Sequence, residues 1–448
     1  MQIYIFLLLR DRKIISYKIC IIGSCNSMNL SKVKNKKQVL LWSLYDFANQ
    51  PFTTIIITFV YSSFFVKVIA PNEQIGTIMW TNSIALSAIV VSIFSPILGA
   101  IADNGGFRKF FLILFTWICA VFSILLYFPQ KGDSMFALTL FVIANIAFEL
   151  GSVFCNSYLK DLSDNKNIGS ISGFAWGLGF CGGLIALFLS FFLFDINNSD
   201  EIRKINILVG IWFFIFSIPI FLFLKDRKKE KFRRNHFSNS FSNILKTFKT
   251  ISQYKSILQF LIARLFFNDG LVTIFALGGI YAVGTLDFSF EEVMQLGIVL
   301  NIAAAVGSFI FGYLEDKIGV KRVINISLFL LIISTLLAFL APETSYTKEI
   351  FWFASILIGL MVGPNQSCSR SLMARITPKE KQNEFFGFFA LTGKATSFLG
   401  PLLFGIITLY YSQQIALWVV IMLFVIGLVL FNRISFQKSN KDDILNTI

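Results

Sequence analysis

The chain has 448 residues, of which 56% are hydrophobic and only 14% charged, with a mean hydropathy of +0.72 and a formal net charge of +14. Soluble globular domains carry about a quarter charged residues, so this composition excludes one and places the chain in lipid. Apolar stretches of roughly 20 residues match a hydrocarbon core about 30 Å thick, whereas the short alternating segments of a β-barrel are absent.

Residues 1–39 form a basic lead segment. Its apolar run from Ile3 to Leu9 is broken by Arg10, Asp11, Arg12 and Lys13, which is too short for a span and lacks a convincing cleavage site. Met28 opens MNLSKVKNKKQ, a more ordinary lead-in, and is read as a candidate true start. Spans are predicted near 40–66, 76–102, 110–129, 134–158, 170–194 and 205–224, then near 257–283, 292–315, 323–341, 349–374, 385–410 and 414–432. The expected fold is therefore an all-α integral membrane protein with two six-helix bundles, 40–225 and 257–434. Residues 226–256 are the basic linker between them and 435–448 a tail. Within the linker, 243–254 reads as an amphipathic surface helix, and its Lys and Arg suit anionic headgroups.

The basicity is a topology signal before it is anything else. Of 39 Lys and Arg, 31 fall on segments that share one side of the membrane; five (Lys67, Lys131, Arg203, Lys204, Lys348) fall on the other and three (Arg264, Arg370, Lys394) inside spans. By the positive-inside rule both termini face the cytoplasm, and no nucleic-acid partner is needed to explain the charge. The six cysteines (Cys20, Cys25, Cys119, Cys155, Cys181, Cys368) form no CxxC, and the single histidine, His236, lies in the linker. No disulfide framework, metal site or intramembrane histidine relay is expected, and neither a Walker loop nor a hydrolase elbow is present, so no enzyme activity or cofactor is expected.

The chain repeats itself. GAIADNGGFRK (Gly99 to Lys109) and GYLEDKIGVKR (Gly312 to Arg322) nearly coincide; Asn156-Ser157-Tyr158-Leu159 lines up with Arg370-Ser371-Leu372-Met373, and Gly173-Phe174 with Gly387-Phe388. Spans 4 and 10, and 5 and 11, are thus twins, with a shorter match of spans 1 and 7 through Phe47/Phe266 and Asn49/Asn268. Parallel repeats of this size place a substrate between the halves.

Polar residues inside spans are costly unless they face a partner or water. Span 4 sets Asn145, Glu149, Ser152 and Asn156 on one helical face. Span 1 carries Asp46, Asn49 and Gln50, span 7 Arg264, Asn268 and Asp269, span 10 Asn365, Gln366 and Arg370, and span 11 Lys394. A shared central cavity for substrate and coupling ion explains this grouping. Duller readings stand beside it: Arg370 snorkelling to headgroups, Asp46 capping or pairing with a neighbouring helix, Lys394 as a structural partner of an acid. The glycines of SGFAWGLGFCGG let helices approach closely, and Pro96 and Pro364 are expected to kink spans 2 and 10.

Gly99-x-x-x-Asp103 with Arg108-Lys109, and Gly312-x-x-x-Asp316-x-x-Gly319-x-Lys321-Arg322, resemble the inner-loop motif of the major facilitator superfamily; the first copy departs from it at Asn104-Gly105-Gly106-Phe107. The resemblance implies that Gly99, Asp103, Arg108, Gly312, Asp316 and Arg322 form an inner gate that latches the halves. WSLYDFANQPFTTII, ISGFAWGLGFCGG, NQSCSRSLMARITP and FFGFFALTGKATSFLGPLLFG narrow it to the vacuole-effluxer branch, a resemblance that covers most of 40–434. It implies alternating access in the cytoplasmic membrane, an ion-coupled monomer, and export of amino acids. Alternatives are another small polar metabolite, such as a nucleoside or peptide fragment, or a lipid-handling protein on the same fold. A proton is one candidate coupling ion.

Overall fold

The computed structural model describes residues 36–195, 198–224 and 254–434. Met28, Cys20, Cys25, His236, the linker residues 243–253 and the tail from 435 lie outside the described residues.

Among the described residues, twelve helices are long and apolar enough to cross a membrane. Spans 1 to 6 are Lys36–Ile69, Ile75–Gly105, Arg108–Leu125, Ser134–Leu162, Ile168–Leu193 and Ser199–Phe223. Spans 7 to 12 are Lys255–Leu286, Glu292–Ile318, Val320–Glu343, Thr347–Ile376, Lys379–Tyr410 and Gln413–Asn432. Helices satisfy their own backbone in lipid, which is why near-continuous apolar composition becomes helix here. With an even number of spans, both ends of the described chain lie on one face, called the terminal face below.

Local chemistry shapes the helices. Pro51 has no N–H to give the helical ladder, and span 1 continues past it as a π-helix, Phe52–Phe59. Pro96 and Pro364, in contrast, sit inside uninterrupted helices, Glu73–Gly105 and Thr347–Ile376. Span 8 starts at a capping box, Ser289 with Glu292. Span 11 is two segments: Gln382–Lys394, a turn at 395–398, and Leu399–Tyr410.

The repeat is visible in the packing. In the first half span 1 packs on 5 and 6, span 2 on 4, and span 3 on 4 and 6; in the second, 7 packs on 11 and 12, 8 on 10, and 9 on 10 and 12. The two halves join along two seams, span 2 on span 11 and span 5 on span 8. Lipid offers no hydrophobic drive between helices, so these seams rely on close backbone approach and hydrogen bonds. Large apolar side chains such as Phe110, Phe192 and Phe329 are left exposed on the outside, where acyl chains cover them.

Candidate functional site

The seams carry matched charge. Asp103, near the end of span 2, accepts from Glu384 N at 2.8 Å and Asn383 Nδ2 at 2.7 Å, at the start of span 11's inner segment. Asp316, near the end of span 8, accepts from Gly169 N at 2.9 Å and Ser170 N at 2.8 Å, at the start of span 5. Each carboxylate thus sits on the positive end of a helix in the opposite half. Such proximity needs glycine: a Cβ at Gly99 would lie 2.3 Å from Asn383 O, and one at Gly173 would lie 2.6 Å from Gly312 Cα.

Cations close the other helix ends. Lys160 of span 4 donates to Thr377 O and, at 3.4 Å, to Arg375 O, at the carbonyl end of span 10. Arg375 returns the contact with a 2.5 Å bond to Asn165 O and also pairs with Glu315 at 3.1 Å and Asp316 at 3.2 Å. Ser157 adds a 2.7 Å bond to Asn383 Oδ1.

The two motif arginines sit differently from each other. Arg108 pairs with Asp161 at 2.9 Å and lies 3.5 Å from the Tyr158 ring centroid, both in its own half. Arg322 is exposed and makes no ion pair among the described residues. The connection explains why: Gly106 and Phe107 separate spans 2 and 3, whereas Gly319 alone separates spans 8 and 9. Lys109 Nζ donates to Leu224 O and Lys321 Nζ to Ile434 O, each at 2.9 Å, which makes those two lysines the equivalents. Arg108 then corresponds to Val320, and Arg322 to the outward-facing Phe110.

One layer inward, Arg370 Nη1 meets Asp46 Oδ2 at 2.7 Å and Asn156 Oδ1 at 3.1 Å, while Nε and Nη2 donate to Ser172 Oγ and O. The guanidinium lies 4.9 Å from the Trp42 ring centroid and 5.6 Å from that of Trp176. The Arg370 side chain is 3% exposed, so it bridges the halves and does not snorkel to headgroups.

Seven residues back along span 4 from Asn156, about 10 Å farther from the terminal face, Glu149 Oε1 accepts from Lys394 Nζ at 2.6 Å. These side chains are 18% and 34% exposed, against 14% and 3% for Asp46 and Arg370, so this pair is the more open of the two. Every inter-half hydrogen bond and ion pair named above lies at this pair or on its terminal side. In both intramembrane pairs the first half supplies the acid and the second the base.

The remaining span 7 residues meet the break in span 11. Arg264 Nη1 donates to Phe389 O at 2.8 Å, and its guanidinium lies 3.6 Å from the Phe389 ring centroid. Asn268 donates to Gly393 O at 3.1 Å and accepts from Gln366 at 3.2 Å. Gly400 lies against Asp269, where a Cβ on the glycine would lie 3.1 Å from Asp269 O.

Of the predicted cavity residues, the structure brings together Asp46, Asn156 and Arg370 in one group, Glu149 and Lys394 in a second, and Arg264, Asn268, Asp269 and Gln366 in a third. Asn365 is not among them, because it turns to Ser327 of span 9 at 3.0 Å, within its own half. Gln50 packs on Gly183 of span 5, Asn49 is buried, and Asn145 is buried with Oδ1 unbonded among the described residues. Sequence reasoning missed Lys160, Ser172, Glu315, Arg375 and Asn383. Two of them, Lys160 and Arg375, had been read only as topology charge, and Glu315 stood beside Asp316 inside the quoted motif. Among the described residues no group of His, Cys, Asp and Glu can hold a metal ion, and Cys119, Cys155, Cys181 and Cys368 are free thiols.

Against known proteins, residues 74–443 match the family model described as vacuole effluxer Atg22 like. The chain is 28% identical over 415 residues to the uncharacterized MFS-type transporter YxiO of Bacillus subtilis, covering 90% of this chain and 96% of that one. It is 24% identical to autophagy-related protein 22 of Vanderwaltozyma polyspora, with 92% and 94% covered. Among solved structures, the proton:xylose symporter XylE superposes with a TM-score of 0.69 at 13% identity over 89% of this chain and 95% of that one. A bacterial homologue of the iron transporter ferroportin in its outward-facing state gives 0.68 at 12% identity, over 90% and 99%.

Proposed function

The chain belongs to the vacuole effluxer family of MFS-type transporters, and we propose that it exports small neutral amino acids by alternating access, with Glu149 and Lys394 as the pair that receives the zwitterion. The observation that carries this reading is the partly exposed ion pair at 2.6 Å between spans 4 and 11. An amino acid brings one carboxylate and one ammonium, so it can replace each partner for the other: its carboxylate on Lys394, its ammonium on Glu149. Charge stays balanced throughout, which avoids the penalty of a lone charge in a low-dielectric site. Inserting a solute separates the two residues and weakens a bond between the halves, which ties occupancy to motion because the solute binds the two arrangements differently.

In this reading bundles 40–225 and 257–434 rock about the site. The Asp46–Arg370 layer and the Asp103 and Asp316 caps close the terminal face, and the rest of the polar set, including Asn49, Gln50 and Asn145, lines the route. The charge asymmetry supports a cell-membrane orientation with that face in the cytoplasm. Nothing in the site calls for a second subunit, and the carrier is read as a monomer.

Solute counterflow in proteoliposomes tests this, with a mixture of unlabelled amino acids inside and labelled ones outside. Wild-type protein is expected to accumulate label and Glu149→Gln to lose it. Folded wild-type protein without uptake rejects amino acids and moves the search to other polar metabolites or to lipid.

A further inference from the structure

The break in span 11 places two helix ends in the middle of the membrane, and span 7 serves both. The carbonyl end of Gln382–Lys394 receives the cation Arg264 and the Asn268 amide, at Phe389 O and Gly393 O. The amide end of Leu399–Tyr410 lies against Asp269, through Gly400, whose Cβ would be 3.1 Å from Asp269 O. Gly400 is seated tightly, since a Cβ there would lie 2.0 Å from Thr273 Oγ1.

Asp269 is only 2% exposed, and its Oδ1 has no hydrogen-bond partner among the described residues. An ionised carboxylate with one oxygen unsatisfied is poorly tolerated at such a place, and the smallest remedy is a proton. Among the described residues no cation is at hand to serve instead. Span 12 has no charged residue. Span 8 carries its charges toward its ends, with Glu315 and Asp316 held by Arg375 and Glu292 held by Lys348. Span 10 brings Arg370, committed to Asp46, and span 11 brings Lys394, committed to Glu149. On span 7 itself Arg264 is turned to Phe389 O and Thr392. A metal ion would need several more oxygens, and Thr273 Oγ1 already donates to Asp269 O at 2.7 Å.

We propose that Asp269 is a reversible proton-binding site that latches the outer segment of span 11. Ionised, the carboxylate is attracted to the positive end of Leu399–Tyr410. When one proton from the aqueous phase adds to the carboxylate, that charge is cancelled, the attraction to the helix end weakens, and the segment is released at the 395–398 turn. The site requires neither an amino-acid substrate nor the Glu149–Lys394 receptor, so failure of counterflow leaves its test intact.

The test uses the purified full chain in lipid nanodiscs without substrate, its aspartate carboxyls labelled with carbon-13. Infrared difference spectra between acid and alkaline pH are expected to show a protonated aspartate band that is absent in Asp269→Asn and kept in Glu149→Gln. Backbone hydrogen exchange across 395–400, corrected for its intrinsic pH dependence, is expected to rise about tenfold on acidification in the wild type and to stay flat in Asp269→Asn. Identical spectra for the wild type and Asp269→Asn overturn the site, and a titrating band with unchanged exchange overturns the latch. If Asp269→Asn does not fold, the wild type decides alone: no pH-dependent aspartate band, or no acceleration at 395–400, overturns the proposal.

Discussion

Glu149 Oε1 and Lys394 Nζ lie 2.6 Å apart across the boundary between the two six-helix halves, and Lys394 is the last residue of the inner segment of span 11. One bond therefore joins a partly exposed site, the seam between halves and the point at which a helix breaks. A solute that opens it acts on all three together.

The strength of that bond can be measured without transport. Glu149→Gln and Lys394→Met each leave one charge without its partner; because Lys394 is about a third exposed, solvent screens much of the loss, and each variant is expected to cost on the order of 1 kcal/mol, not the 3–5 of a sealed pair. Thermal unfolding in detergent should show the double variant less destabilised than the sum of the singles. Strict additivity would mean the two residues do not interact energetically.

At the terminal face, Asp103→Asn and Asp316→Asn each remove a charge from the amide end of a helix in the opposite half. Hydrogen bonds to charged groups contribute about 1.5–3 kcal/mol, so either variant should shift the closed arrangement toward opening by about tenfold or more. Cys155 is buried beside Trp42, whose indole donates to its carbonyl at 2.8 Å and whose ring lies 4.9 Å from the Arg370 guanidinium. Its maleimide labelling in a background lacking other cysteines should accelerate in both variants, and most in the double. Unchanged labelling would remove the two aspartates from the closure.

The two motif arginines should behave unequally. Arg108 is buried among Asp161, Ser157 O and the Tyr158 ring, so Arg108→Ala is expected to destabilise by about 2–4 kcal/mol and to reduce the yield of folded protein. Arg322→Ala, at an exposed position, should stay within about 0.5 kcal/mol. Melting curves of the two variants side by side decide it. Equal losses would restore Arg322 to a structural role.

Much of this architecture is legible in one dimension. Lipid imposes a length and an apolar composition on each span, and the split of 31 cations against five separates the segments of one face from those of the other, because both effects act on a segment without reference to its neighbours in space. The repeat of Gly99 with Gly312 and of Gly173 with Gly387 likewise announced two related halves and located the glycines of the seams. The helical face of Asn145, Glu149 and Asn156 was readable from spacing, since 3.6 residues per turn fixes direction within one helix.

What the sequence left open is which charge meets which. Asp46 and Arg370 are 324 residues apart along the chain, and Asp103 and Glu384 are 281 apart. Snorkelling, capping and bridging are all compatible with the same local composition, and only the packing of spans 2 on 11 and 5 on 8 selects among them. The motif misled at Arg322 because a single extra residue after Gly105 shifts the register of the following helix, which an ungapped repeat hides. The break in span 11 is also tertiary, since its carbonyl end is tolerable in the membrane only where Arg264 and Asn268 of span 7 satisfy it, and its amide end lies against Asp269 of the same span. The chain by itself determined how many helices cross and which faces are polar, because those follow from each segment's balance with lipid and water; the pairing of buried charges was decided by the fold, because a buried ion is stable only beside the particular partner that three dimensions bring to it.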